Sequence, residues 1–155
     1  NGVQSFLIEL GGEMLVFGRK PNDTMWKVGV DKPIEGMERS LAAKVSVEDV
    51  GIATSGNYRK FYNLNGLKVH HTLNPITGYP AYHELLSATV IAENCALADA
   101  LATSFMVMGL EKTVDFLENS ELAKGVEVFL IFSSEEGEYK TYKTQGAKKM
   151  IETEL

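Results

Sequence analysis

Short apolar runs separated by turn-forming residues occupy the first half of the chain. Residues 2–10, 14–17, 26–30 and 41–47 are rich in large apolar side chains, and 41–47 alternates apolar with polar positions. Alternation of period two is typical of a half-buried strand. We predict a strand over each run, with 2–10 buried and with 14–17 and 26–30 paired as a hairpin across a long loop.

The middle of the chain contains a strong hairpin signal. Asn65-Gly66 stands between two β-prone runs, 61–62 and 67–72. Asn-Gly suits the tight turns that connect antiparallel strands, because both residues tolerate a positive φ. Further strands are predicted over 51–55 and 86–92.

The period then changes to that of a helix. Apolar residues recur three or four positions apart from residue 93 to residue 108, and Gly109 follows as a natural stop. A shorter helix is predicted over 111–117. Strands are expected over 126–132 and 139–144, and we expect the charged end, 150–155, to fray.

About nine strands and two late helices predict an α+β fold, a mostly antiparallel sheet with helices packed on it, in one domain over residues 1–155. The formal net charge of −6 argues against a nucleic-acid binder and against a polybasic membrane anchor. One cysteine, Cys95, excludes an internal disulfide framework. The chain begins at Asn1 rather than at methionine, so we expect a processed or cut N-terminus.

All three histidines, His70, His71 and His83, bracket one loop rich in Pro and Gly. Adjacent strand residues point to opposite faces, so His70 and His71 are not expected to line the same site. Each histidine is either a structural residue bonded to backbone, or, for one of them, a general base or phosphate contact.

Asp99 and Thr103 are four residues apart on the apolar predicted helix and therefore share a face. Carboxylate and hydroxyl oxygens suit Mg²⁺, which commonly completes its shell with substrate phosphates. The alternative is that Asp99 caps the helix start while Thr103 bonds back to a carbonyl. Separately, the strand that ends in Thr54-Ser55-Gly56 can expose backbone N–H groups to a phosphate.

Four blocks in order resemble the FAD:protein FMN transferase (ApbE) family. They are residues 10–13 (LGGE), 53–59 (ATSGNYR), 71–80 (HTLNPITGYP), and the strand start at 87–90 (SATV) followed by the helix segment 98–103 (ADALAT). The resemblance spans most of the chain and implies a T-fold-like α+β domain. It also implies that these 155 residues are the C-terminal portion of a domain about twice as long, because the N-terminal half is missing from the match. The chain would then be a truncated piece or one part of a split protein.

The resemblance assigns the candidate residues. Asp99 and Thr103 would be side-chain ligands of Mg²⁺, with the backbone of Ala102 as a further ligand, and His71 would be the catalytic histidine. FAD would contact Leu73 and the turn at Thr54, Ser55 and Gly56. His70 and His83 do not match the motif and keep the structural interpretation. Asn74 stands where many members have Asp, so it receives no catalytic role.

The implied reaction moves FMN from FAD to a Thr or Ser hydroxyl of an acceptor flavoprotein and releases AMP. Mg²⁺ is the implied cofactor and FAD the substrate. The expected acceptor is a flavoprotein subunit of a membrane redox complex, in the bacterial periplasm or at the outer face of the cytoplasmic membrane. Peripheral membrane association would depend on a missing N-terminal segment. The alternatives are an FAD pyrophosphatase that yields FMN and AMP, and a flavin-binding fragment without turnover.

Overall fold

The computed structural model describes residues 2–34, 40–57, 61–64 and 67–154; for 61–64, 67–70 and 153–154 it describes the backbone only. The strands are β1 (Phe6–Leu10), β2 (Glu13–Phe17), β3 (Trp26–Asp31), β4 (Leu41–Val47), β5 (Val50–Gly56), β6 (Phe61–Leu64), β7 (Leu67–His70), β8 (Leu85–Ala92), β9 (Glu127–Ser133), β10 (Tyr139–Lys143) and β11 (Ile151–Glu154). The helices are α1 (Cys95–Met108), α2 (Leu110–Asn119) and α3 (Gln145–Met150), and a 3-10 turn spans Glu121–Ala123. None of the helices in the described ranges is long and apolar enough to cross a membrane.

The described strands form three antiparallel sheets. The first has six strands in the order β1-β2-β5-β8-β9-β10, the second has three in the order β11-β4-β3, and β6 and β7 form a separate ribbon. All pairings between these strands are antiparallel. The predicted α+β class with a mostly antiparallel sheet is therefore confirmed.

The six-stranded sheet is the middle layer, because its central strands bury both faces. On β8, Ala88 and Val90 join the core under α1 and α2, whereas Ile91 joins the core shared with the three-stranded sheet. On β9, Val128 and Phe129 divide in the same way. Successive strand residues point to opposite faces, so an uninterrupted apolar run supplies both cores.

Helix α1 follows β8 directly and lies across β5 and β8. The side chain of Asn94 caps it by accepting a hydrogen bond from the Leu97 N–H at 2.9 Å. Gly109 ends it with a φ of 79°, and its N–H donates to the Phe105 carbonyl. The predicted helix and its stop are confirmed, whereas the suggestion that Asp99 caps the helix is wrong.

Two expectations about the strands are wrong. β1 begins at Phe6 and is an edge strand with exposed residues such as Ile8 rather than a buried strand. β2 and β3 do not form a hairpin, because β2 pairs with β1 and β5 while β3 pairs with β4 in the other sheet.

The chain end is also more ordered than its charge predicts. Residues Ile151–Glu154 form β11, which pairs with β4 beginning at Ile151 opposite Val45. Glu152 bonds Lys27 at 2.7 Å and accepts from the Ser46 hydroxyl at 2.5 Å. The predicted β6–β7 hairpin is confirmed by the pairing of Leu64 with Leu67, although Asn65-Gly66 itself lies outside the described residues.

Candidate active site

An open cleft of about 940 Å³ lies beside the second half of β5. β2 pairs with β5 only as far as Met14 opposite Ile52, and the chain turns back at Gly11-Gly12. β5 continues to Gly56 along the cleft. The lining is Leu7, Glu9, Gly11–Met14, Lys27, Val28, Gly29, Asp31, Leu41, Thr54, Ser55, Gly56, His71, Thr72, Leu73, Asp99, Thr103 and Val107.

Two hydroxyls connect β5 to α1 at this cleft. The Oγ of Ser55 and the Oγ1 of Thr103 are 3.1 Å apart, within hydrogen-bond distance. Asp99 lies one helical turn before Thr103, so it presents its carboxylate on the same helix face. Both helix residues are exposed. Three oxygen-bearing side chains therefore border one part of the cleft, and Thr103 bonds across to β5 rather than back to a helix carbonyl.

The close approach of β5 to α1 depends on a glycine. A Cβ on Gly51 would lie 2.2 Å from the carbonyl carbon of Asn94 and 2.3 Å from the nitrogen of Cys95. Any larger residue would force the start of α1 away from the sheet, since backbone atoms have little freedom to yield. The absence of a side chain at Gly51 thus allows α1 to lie close enough to β5 for the Ser55 and Thr103 hydroxyls to come within hydrogen-bond distance.

Thr54 points to the opposite face of β5 from Ser55. Its Oγ1 lies 2.9 Å from the Oγ1 of Thr89, a residue that is only 1% exposed on the neighbouring strand. Gly56 stands opposite Ser87, whose buried hydroxyl has no hydrogen-bond partner among the described residues. The end of β5 therefore supplies one hydroxyl to each face of the sheet and then a position without a side chain.

The loop after β7 is closed by its own backbone. Leu73 bridges Pro80, the N–H of Ala81 donates to the Thr72 carbonyl at 3.1 Å, and the Asn74 N–H donates to the Tyr79 carbonyl at 2.8 Å. The Asn74 side chain accepts from the N–H of Ile76 at 2.9 Å. This Asx turn explains a polar residue at position 74 without any catalytic role.

His71, Thr72 and Leu73 line the cleft at the start of this loop. His71 is exposed. The side chain of His70 lies outside the described residues, so the expectation that His70 and His71 face different sites stays a prediction. His83 is structural, as expected, because both of its ring nitrogens are bonded to backbone.

Ala102 lies on the other side of α1 from the cleft. Its side chain is fully buried in the core beneath the helix. Its position in the middle of α1 places its carbonyl in the i, i+4 bonding of that helix. A role for the Ala102 backbone in metal binding stays a prediction.

Carboxylates dominate the charge of the cleft. Among the described lining residues, Glu9, Glu13, Asp31 and Asp99 carry carboxylates, whereas the one lysine, Lys27, is paired with Glu152. A cleft with this balance favours a cation over a free anion. Glu9, Asp31 and Lys27 are not among the site residues predicted from the sequence. Glu9 lies on β1 and the other two lie on β3, which belong to different sheets, so no local sequence pattern indicates that they converge.

The oxygen donors of the cleft suit a hard divalent cation only in part. Asp99, Thr103 and Ser55 are the types of ligand that Mg²⁺ accepts, but they include a single carboxylate. Across the described ranges, no group of three or more His, Cys, Asp or Glu side chains is placed to hold a metal ion. A cation bound here would take its remaining ligands from substrate phosphates, water or another polypeptide segment.

The model of the ApbE family matches residues 1–130. The chain belongs to the ApbE family. A FAD:protein FMN transferase from Haemophilus influenzae is 34% identical over 150 residues, which are 97% of this chain and 42% of the relative. The FAD:protein FMN transferase of Escherichia coli K12 is 34% identical over 153 residues, 99% of this chain and 42% of that protein.

Solved ApbE structures share the fold. The apo form of the Pseudomonas stutzeri flavinyl transferase ApbE matches with a TM-score of 0.77 at 31% identity, over 99% of this chain and 45% of that one. The flavin transferase ApbE of Vibrio cholerae matches with a TM-score of 0.78 at 30% identity, over 96% and 45%. This chain thus spans less than half the length of the ApbE proteins it matches.

Proposed function

We propose that this chain carries the metal-binding and phosphate-binding part of an Mg²⁺-dependent FAD:protein FMN transferase. The observation that supports the proposal is that Asp99, the Ser55–Thr103 pair, His71 and the end of β5 all line one cleft. The names of the relatives give the same reaction class.

In this reaction a hydroxyl oxygen of the acceptor protein attacks the phosphorus on the FMN side of the FAD pyrophosphate. The new bond joins that oxygen to the FMN phosphate, and the bond from the same phosphorus to the bridging oxygen breaks. AMP leaves with the bridging oxygen, and the hydroxyl proton is taken up by a base. Phosphoryl transfer of this type depends mostly on positioning and on neutralising charge.

Asp99 and Thr103 would hold the cation in this scheme, and Ser55 fixes the Thr103 hydroxyl from the neighbouring strand. When bound, Mg²⁺ would offset the negative charge of the pyrophosphate and of the leaving phosphate. The acidic lining supplied by Glu9, Glu13 and Asp31 would otherwise repel FAD, so the cation and the substrate are expected to bind together.

His71 would act as the base. It stands at the start of the closed 72–81 loop, on the cleft side, where an imidazole is solvent-accessible. Imidazole is the side chain that exchanges a proton most readily near neutral pH. Leu73 and residues 54–56 at the end of β5 would border the flavin and its phosphates.

The experiment uses the natural polypeptide that carries these residues, with FAD, Mg²⁺ and an acceptor flavoprotein. Asp99→Asn keeps the shape of the side chain and removes its charge, so it should abolish Mg²⁺-dependent attachment of FMN, measured by mass spectrometry of the acceptor. Asp115→Asn on α2 is the matched control, because Asp115 is exposed, bonded only by Asn119 in the hydrogen bonds described, and outside the cleft lining. Attachment at the unmodified rate in Asp99→Asn would refute the metal assignment.

Products distinguish the two alternatives. Free FMN plus AMP, with no labelled acceptor, would identify an FAD pyrophosphatase. FAD binding that strengthens with Mg²⁺ but yields no product would identify a flavin-binding fragment. For the acceptor we propose a flavoprotein subunit of a membrane redox complex. We place the reaction in the bacterial periplasm or at the outer face of the cytoplasmic membrane, and fractionation of the native cells would test this location.

A further inference from the structure

His83 connects two parts of the cleft without lining it. The N–H of Leu85 donates to its Nδ1 at 3.2 Å, so Nδ1 is the acceptor and the proton of the neutral ring is on Nε2. Nε2 is 2.7 Å from the carbonyl oxygen of Met106 and therefore donates to it. Both nitrogens of the half-buried ring therefore make hydrogen bonds to backbone groups.

On one side of His83 is the loop that presents His71. The hydrogen bond from Ala81 to Thr72 closes that loop, and His83 follows the closing residue by two positions. Leu85 then begins β8. The ring thus stands at the point where the loop joins the six-stranded sheet.

On the other side is the end of α1. Met106 is one turn beyond Thr103, and the ring packs so closely on Gly109 that a Cβ there would be 3.2 Å from its Cγ. The neighbouring Glu84 accepts from the N–H of Leu110, the first residue of α2, at 3.3 Å. Residues 83 and 84 therefore hold the junction of the two helices.

We propose that His83 is a positioning residue that fixes the His71 loop relative to the Asp99–Thr103 face of α1, through its bond to the Met106 carbonyl. This inference rests on the proposed transferase function, which gives His71 and Asp99 their roles. The bond matters because the base and the metal ligands lie on different elements, and a displacement of about 1 Å between reacting groups can cost about 100-fold in rate.

Two substitutions separate the two bonds of the ring. In His83→Gln the amide nitrogen can reach the position of Nε2 and keep the bond to Met106, while the bond from Leu85 is lost. In His83→Asn the amide oxygen takes the position of Nδ1, and the bond to Met106 is lost. Each variant removes one bond to backbone, so we expect similar losses of thermal stability, and Glu84→Gln serves as a control at the same junction.

The expected result is that His83→Asn lowers kcat for FMN transfer by about 10- to 100-fold with little change in the KM for FAD, while His83→Gln and Glu84→Gln stay within about threefold of the natural protein. Equal losses of kcat in His83→Gln and His83→Asn, in step with their stabilities, would reduce His83 to a structural residue and overturn the proposal.

Hydrogen exchange tests, separately from the activity, whether the bond from His83 to the Met106 carbonyl holds the loop in place. The amides of Asn74, Gly78 and Ala81, which close the loop, should exchange faster in His83→Asn than in His83→Gln. Absence of FMN transfer by the natural protein would refute the proposed function. The difference in exchange would still support the inference that the bond from His83 to Met106 holds the loop in place. Identical exchange in the two variants would refute it, whatever the activity.

Discussion

The hydroxyls of Ser55 and Thr103 lie 3.1 Å apart and connect the end of β5 to the third turn of α1. Among the described residues, no other pair of bonded side-chain hydroxyls joins this helix to the sheet. The contact places Asp99 over the same part of the cleft, so the geometry of the candidate metal site depends on how α1 is seated.

Thr103 is expected to contribute a ligand oxygen. Thr103→Ala should weaken Mg²⁺ binding by about tenfold or more, because it removes that oxygen together with the partner of Ser55. The measurement is the Mg²⁺ concentration that gives half-maximal FMN transfer. Ser104→Ala is the matched control: Ser104 is the next residue, and its hydroxyl donates back to the Ala100 carbonyl at 2.7 Å, outside the cleft. A similar Mg²⁺ requirement in both variants would contradict the assignment.

His71 is expected to act in proton transfer and not in metal binding. His71→Ala should slow transfer by about 10²- to 10⁴-fold, the usual contribution of a general base. The Mg²⁺ dependence of FAD binding, followed by flavin fluorescence, should be unchanged. If His71→Ala lost metal affinity but kept normal turnover, His71 would be a metal ligand rather than the base, and the assignment would be wrong.

The close approach of α1 to β5 is expected to require a glycine at position 51. Gly51→Ala should destabilise the fold by about 1–3 kcal/mol, because the new Cβ meets the backbone of Asn94 and Cys95. Thermal or urea unfolding measures this loss. Gly29→Ala is the comparison within a strand, since the atoms nearest to its Cβ belong to the flexible side chain of Leu41, the first at 2.7 Å, and it should cost less. A smaller loss at Gly51 than at Gly29 would refute the close-approach argument.

The docking of β11 should weaken in acid. Hydrogen bonds from Lys27 and then Ser46 hold the pKa of Glu152 below its usual range. A carboxyl whose pKa is lower in the folded state stabilises the fold above its unfolded pKa, and this contribution is lost as the pH falls through the folded value. Unfolding followed between pH 6 and pH 3 should therefore show a steeper loss in the natural protein than in Glu152→Gln. Parallel curves would contradict this.

Helix α1 could be predicted because its determinants are local. Its period, the polar residue Asn94 before it and Gly109 after it all lie within one stretch of the chain. The loop at 74–80 was predictable for the same reason, as Asn74 and the prolines act on their own neighbours, although β7 ends at His70, two residues before the predicted strand end. Four spaced blocks then identified the family, which the match over residues 1–130 confirms.

Partner choice between strands could not be predicted, because it is decided by contacts far apart in sequence. β2 and β3 are neighbours along the chain but belong to different sheets. Ile151 pairs with Val45, more than a hundred positions away, and the charges around it suggested a frayed end. The acidic wall of the cleft, at Glu9 and Asp31, was missed for the same reason.

The division of Thr54 and Ser55 between the two faces of β5 sets a limit on how this segment can change. A strand alternates with a period of two, so one residue gained or lost between Gly51 and Thr54 would exchange the two hydroxyls and turn Ser55 away from Thr103. The spacing of this segment is therefore as constrained as its composition. We expect natural variants to differ here by substitution, with insertions and deletions restricted to the turns at either end.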